Sequence, residues 1–80
     1  MIMIISDHAR KEMEQSGISE EEVSQCLKHG ELEIREVVKG ETRYGKKLIL
    51  KEKTIMVIYT LRKEEERVIT AYIVRRKKKW

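Results

Sequence analysis

The sequence predicts an α+β fold: two N-terminal helices packed on one face of a mostly antiparallel four- to five-stranded sheet, in the order β-α-α-β-β-β-β. Two observations carry this. Up to Gly30 the apolar residues recur at helical spacing between marked caps, and after Gly30 the period drops to two. The connections between these runs are short, which favours neighbours packing as two layers.

Met1 to Ile5 is a short apolar run that reads as a first strand. A helix over about Asp7 to Ser16 follows, with Ser6 placed to accept an orphan backbone N–H and Asp7 supplying negative charge where the helix dipole favours it. Ile5, Ala9 and Met13 share one face, and His8 lies at the margin of that stripe. Gly17 can close the helix, and Ile18 anchors the connection. Ser19 and Glu22 form a capping box that opens a second helix, about Glu20 to His29, ended by Gly30. Val23 and Leu27 give it an apolar side.

Glu31 to Val38 alternates as a strand with one wet face, and Lys39-Gly40-Glu41 reads as a turn. Thr42 to Lys51 is the next strand, with Gly45 expected at a bulge. Thr54 to Leu61 is apolar at nearly every position, as expected of a central strand covered on both sides. Arg62 to Glu66 reads as a charged turn, and Arg67 to Val74 as the last strand. The expectation is one domain, residues 1–80, with a basic tail over residues 75–80.

Composition narrows the function classes. Charged residues make up 40% of the 80 residues and hydrophobic residues another 40%, which is a folding composition rather than a disordered one. Heavy use of Lys, Glu and Arg points to a heat-adapted, thermophile-type protein. The lone Cys26 excludes an internal disulfide, and no apolar run approaches the roughly 20 residues that span a membrane. The expected location is the cytoplasm, with no membrane partner. The net charge of +4 is unevenly spread: residues 1–40 hold five Lys/Arg and nine Asp/Glu, residues 41–80 thirteen and five. A basic second half suggests a polyanion partner.

Candidate chemistry is sparse. Cys26 and His29 are three apart on one helix, with His8 as a conceivable third ligand, but structural zinc takes four ligands from paired clusters, so no metal and no cofactor are expected. There is no nucleophile elbow and no glycine-rich phosphate loop. Acid–base cleavage of RNA is better supplied, because it needs only a base for the 2′-hydroxyl, cations for the phosphate and an acid for the leaving oxygen. His8 supplies an imidazole, a side chain suited to either role. Arg43, Lys46 and Lys47 lie on one strand, Arg75 and Arg76 follow another, and Lys77, Lys78 and Lys79 extend the tail toward Trp80. Tyr44, Tyr59 and Tyr72 can stack on a base or donate a hydroxyl.

The run from Ser6 to Val23, followed by Gly30, Arg43-Tyr44 and Val68-Ile69-Thr70-Ala71-Tyr72, resembles the domain-of-unknown-function family 4258 over nearly the whole chain. That family is similar to toxins of the RelE and BrnT type, small ribonucleases with this order of elements. The resemblance implies a RelE-like domain and places His8, Arg43, Thr70 and Tyr72 in a catalytic site. In that reading His8 is the acid–base group, Arg43 and Arg75 are phosphate clamps, and Tyr72 stacks or donates its hydroxyl. It implies RNA or the ribosome and a small antitoxin-like protein as partners; a structural homodimer is a separate, third reading. The function expected is RNA binding with endoribonuclease activity of the mRNA-interferase kind. The alternative is a non-catalytic RNA- or protein-binding module that kept the fold. Glu12 and Ser16 stand where members of the family often carry arginine, which points toward that alternative.

Overall fold

The computed structural model describes residues 2–75. The expectations for Arg76, Lys77, Lys78 and Lys79 lie outside the described residues. Strand β1 (Ile2–Ile5) leads into helix α1 (Asp7–Ser16), and helix α2 (Glu20–His29) follows directly. Four strands complete the chain: β2 (Glu31–Val38), β3 (Glu41–Ile49), β4 (Thr54–Arg62) and β5 (Glu65–Ile73).

The caps form as the side chains dictate. The Ser6 hydroxyl accepts from Ala9 N–H, and Gly17 closes α1 in the left-handed conformation at φ 71°. Ser19 and Glu22 exchange their reciprocal hydrogen bonds. The Ser19 N–H and then the Lys53 ammonium donate to the Glu22 carboxylate and hold its pKa below the ordinary value. Lys53 also donates to Gly17 O at 2.6 Å, so one ammonium ties the β3–β4 connection to both helices.

The strands form one mixed sheet in the order β1-β5-β4-β3-β2. β2-β3, β3-β4 and β4-β5 are antiparallel, and β1 adds in parallel beside β5. Both helices cover the same face. Ala9 and Met13 of α1, Ile18, and Val23, Cys26 and Leu27 of α2 pack on Ile55, Val57 and Tyr59 of β4 and on Val68 and Ala71 of β5. β4 is therefore central. Its other face is also largely closed, but by neighbouring side chains rather than by a second layer: Met56 and Thr60 are 7% and 4% exposed.

Three local expectations change. The turns before β3 and β5 are shorter than the charged stretches suggested, because the strands run through Glu41, Arg62 and Glu65, whereas the β3–β4 connection is longer, because β3 ends at Ile49. Lys39 and Gly40 both take positive φ, 52° and 79°, the signature of a tight two-residue hairpin turn. β2 buries none of its side chains, so it is an edge strand wet on both faces rather than on one. The bulge lies on β2, where Glu33 is the extra residue between Leu32 and Ile34, and not at Gly45.

Gly45 has a different task. A Cβ there would sit 2.9 Å from Ile34 Cβ and 2.9 Å from Ile58 Cδ1. The glycine lets two isoleucines from flanking strands close over β3 on the helix-free face. The Ile58 methyl can swing away, but Ile34 Cβ is fixed to its backbone, so β2 itself must move. Gly45→Ala should therefore lower stability by about 1–3 kcal/mol, the usual cost of overpacking. Urea unfolding of wild type and variant measures this, and an unchanged midpoint would show that β2 shifts freely.

Candidate functional site

Strand register decides which charged residues share a surface. Directly opposed residues point to the same side of a sheet, and successive residues to opposite sides. Arg43 stands opposite Thr60, which stands opposite Arg67. Gly45, Ile58 and Thr70 form the next row, and Lys47, Met56 and Tyr72 the row after that. All of these rows lie on the helix-free face. Arg43, Lys47, Thr70 and Tyr72 thus share one uncovered surface, and exposed Arg75 follows the end of β5.

Lys46 does not join them. It stands opposite Val57 on the helix side, where its ammonium donates to Leu27 O at 2.6 Å at the end of α2. The same ammonium sits 5.8 Å from the centre of the Tyr59 ring, which stacks on Tyr44. This cation caps a helix carbonyl and covers an aromatic. Lys47, pointing the other way, lies 3.4 Å from Glu33 at the bulge.

His8 is held at the rim by a separate cluster. β1 pairs with β5 only from Glu65 to Val68, so the outer edge of β5 beyond that point has no strand partner. Side chains of α1 take over. The Ser6 hydroxyl donates to Ile69 O, Ala71 N–H donates to Glu12 Oε1 at 3.1 Å, and the Thr70 hydroxyl donates to the same oxygen. His8 Nε2 lies 3.6 Å from that oxygen, one helical turn before Glu12. The imidazole is 71% exposed. The structure brings His8 and Thr70 together through Glu12, with Tyr72 two residues further along on the same side of β5. Arg43 stays apart, one row along and two strands across from Thr70, about 10 Å in the strand-to-strand direction.

Arg43 sits in its own charged group. Its Nε lies 3.6 Å from Glu41 Oε1, and the other oxygen of Glu41 lies 3.3 Å from Arg62. Arg67 Nε donates to Glu65 at 2.9 Å. Arg62 and Arg67 were not singled out by the sequence, and Glu12 entered only as a departure from the arginine of the family. The signal for the arginines was available: with the turn confined to Lys63 and Glu64, period-two counting puts Arg62 on the side of Thr60.

Cys26 is not part of a reactive pair. It is fully buried, its thiol donates to Lys46 O, and burial pushes its pKa up to about 11. Among the described residues no three His, Cys, Asp or Glu side chains gather as metal ligands, and no helix is long and apolar enough to cross a membrane.

A family model described as "Domain of unknown function (DUF4258)" matches residues 5–73, and the chain belongs to that family. No curated protein matches the chain, and no solved structure does.

Glu12 supplies acceptors that nothing else nearby replaces. Glu12→Ala should destabilise the fold by about 1–3 kcal/mol, since it strands a part-buried N–H and hydroxyl, while Glu12→Gln keeps an acceptor and should cost less. Thermal unfolding of the two variants measures the difference. Equal losses would mean that the carboxylate charge, and not the acceptor, holds α1 to β5.

Proposed function

We propose that this member of the DUF4258 family is a RelE-like RNA-binding protein whose helix-free sheet face receives a single strand. The observation that carries the reading is the strand register that sets Arg43, Lys47, Thr70 and Tyr72 on one open surface. The tail adds the electrostatic drive. Residues 75–79 hold five positive charges, so the remaining chain carries 4 − 5 = −1. The body of the protein positions the strand and the tail attracts it, a division in which phosphate contacts provide affinity and aromatic faces hold unstacked bases. The 39% exposed Tyr72 is the aromatic on that face. Truncation after Val74 should weaken RNA binding and lower its salt dependence by about four to five ions. Fluorescence anisotropy across a salt series tests this, and an unchanged slope would exclude the tail from the interface.

The catalytic form of this reading is a metal-independent, toxin-type endoribonuclease. His8 takes the proton of a 2′-hydroxyl, the 2′-oxygen attacks the adjacent phosphorus, and the 5′-oxygen leaves with a proton from Tyr72. The products are a 2′,3′-cyclic phosphate and a 5′-hydroxyl. Glu12, fixed by Thr70 and Ala71, holds the imidazole, while Arg75 and, two strands across the face, Arg43 clamp phosphates of the bound RNA. An enzyme of this kind would act on mRNA, free or on the ribosome, under the control of a small antitoxin-like partner or as a homodimer.

One observation favours the second reading, a non-catalytic binding module. The charge that pairs with His8 is the Glu12 carboxylate at 3.6 Å, which repels a phosphate. His8→Ala separates the two. The imidazole is 71% exposed, so the variant should stay within about 0.5 kcal/mol of wild-type stability. If His8 is the acid–base group, RNA affinity persists while cleavage falls by about 10²–10⁴-fold. A wild type that binds RNA but leaves it intact, with translating ribosomes present, establishes the binding module.

A further inference from the structure

Where β3, β4 and β5 reach the β1 side of the helix-free face, a shallow depression of about 320 Å³ opens between the strands. Arg43, Arg62 and Arg67 line it together with one acid, Glu41, over a largely apolar floor from Ile4, Val68 and Ile69. Ser6 and the buried Thr60 complete the polar part of its wall. Thr60 is the reason the space exists. It stands between Arg43 and Arg67 in the register, it is short, and its hydroxyl is turned aside to donate to Thr42 O at 2.8 Å.

The guanidiniums are held by acids without being used up by them. Glu41 spans Arg43 and Arg62 with its two oxygens at 3.6 and 3.3 Å. Arg67 engages Glu65 through Nε, so that pair leaves its terminal fork unused. Arg43 Nε is buried and has no hydrogen-bond partner among the described residues, because the nearest Glu41 oxygen stands beyond hydrogen-bond range. A buried N–H without an acceptor is costly, and an oxyanion in the depression would supply one once the Arg43 side chain turns toward it. Glu36, opposite Arg43 on β2, is exposed and makes no ion pair there.

We infer that Arg43, Arg62 and Arg67 form a phosphate-binding site that seats one backbone phosphate of the RNA strand. The inference rests on the RNA-binding reading above and adds to it a place. Arginine forks match the paired oxygens of a phosphate, and three of them around an open dip suit a group carried on a polymer that lies across the surface. The apolar row of Ile34 and Ile58 over Gly45 comes next along the face, and Tyr72 lies one row beyond. A strand seated by a phosphate at the arginines would run across the isoleucines toward the tyrosine.

The test follows the arginine Nε–H signals by NMR during titration with inorganic phosphate, and then with a single-stranded oligoribonucleotide. Phosphate should shift the Arg43, Arg62 and Arg67 signals together and saturably, and Arg43→Lys, which keeps the charge but loses the fork, should abolish the shifts at the other two. The folded double variant Arg62→Ala/Arg67→Ala should bind the oligoribonucleotide about ten-fold more weakly, with a salt slope lower by about two. An Arg43 signal unmoved by phosphate overturns the site. RNA binding at full affinity and full salt slope in both variants also overturns it, while leaving the RNA-binding reading in place. Phosphate binding at the three arginines in a protein that takes up no RNA upholds the anion site and sinks the RNA-binding reading instead.

Discussion

Half of the outer edge of β5 has no strand beside it, and the rest of the molecule is arranged around that deficit. β1 is four residues long and pairs in parallel only as far as Val68. Beyond it, β5 would present unpaired backbone groups at a sheet edge, an exposed and aggregation-prone feature. Helix α1 removes the problem by standing in for a strand. Ser6 takes the Ile69 carbonyl with the same hydroxyl that caps its own helix, and Glu12 takes the Ala71 N–H two turns later. The bulge at Ile69, opposite the step from Ile58 to Tyr59, presents that carbonyl to Ser6. Capping, helix docking and edge protection are thus one set of hydrogen bonds, and His8 occupies its place at the rim because it lies one turn before Glu12.

The same arrangement divides the surface. α1 and α2 cover one face of the sheet, where an ammonium such as that of Lys46 finds helix carbonyls and an aromatic ring. The other face receives no layer, and its charged residues pair only with each other: Glu41 with Arg43 and Arg62, Glu65 with Arg67, Glu33 with Lys47. Part-exposed pairs of this kind contribute little to stability, about 0.2–1 kcal/mol each. They are better understood as holding long side chains in defined positions on an open surface. Among these side chains only Arg43 leaves a buried nitrogen, its Nε, without a hydrogen-bond partner among the described residues.

The helices were legible in the sequence because their signals are local. Ser6, Gly17, the Ser19–Glu22 box and Gly30 mark ends that the structure places at Asp7–Ser16 and Glu20–His29. The strands were legible as period-two runs, but their order was not, since pairing β1 beside β5 depends on contacts more than sixty residues apart. Gly45 illustrates the limit. A glycine within a strand marks either a bulge or a close approach, and only the partner strands, Ile34 and Ile58, decide which. The grouping of Lys46 with Arg43 failed for a reason already present in the sequence: adjacent strand residues face opposite ways, so charges on one strand do not share one surface. Glu12 was read as a departure from the arginine common in relatives. Its role as a surrogate strand acceptor needed the register of β5 to become visible.

Charge distribution gives the functional reading its last step. The contrast between an acidic first half and a basic second half does not map onto two charged faces. The helix-free face carries glutamates from β2, β3 and β5 among its arginines and Lys47, and the chain outside residues 75–79 carries −1. A polyanion approaching this protein is therefore drawn to the C-terminal run and not to the sheet as a whole. What the sheet offers is local: a dip lined by three arginines and one glutamate, an apolar row, and a tyrosine. Attraction without geometry and geometry without net attraction are complementary. Under the RNA-binding proposal, such a surface would capture a strand through counterion release and then order it by a few directed contacts.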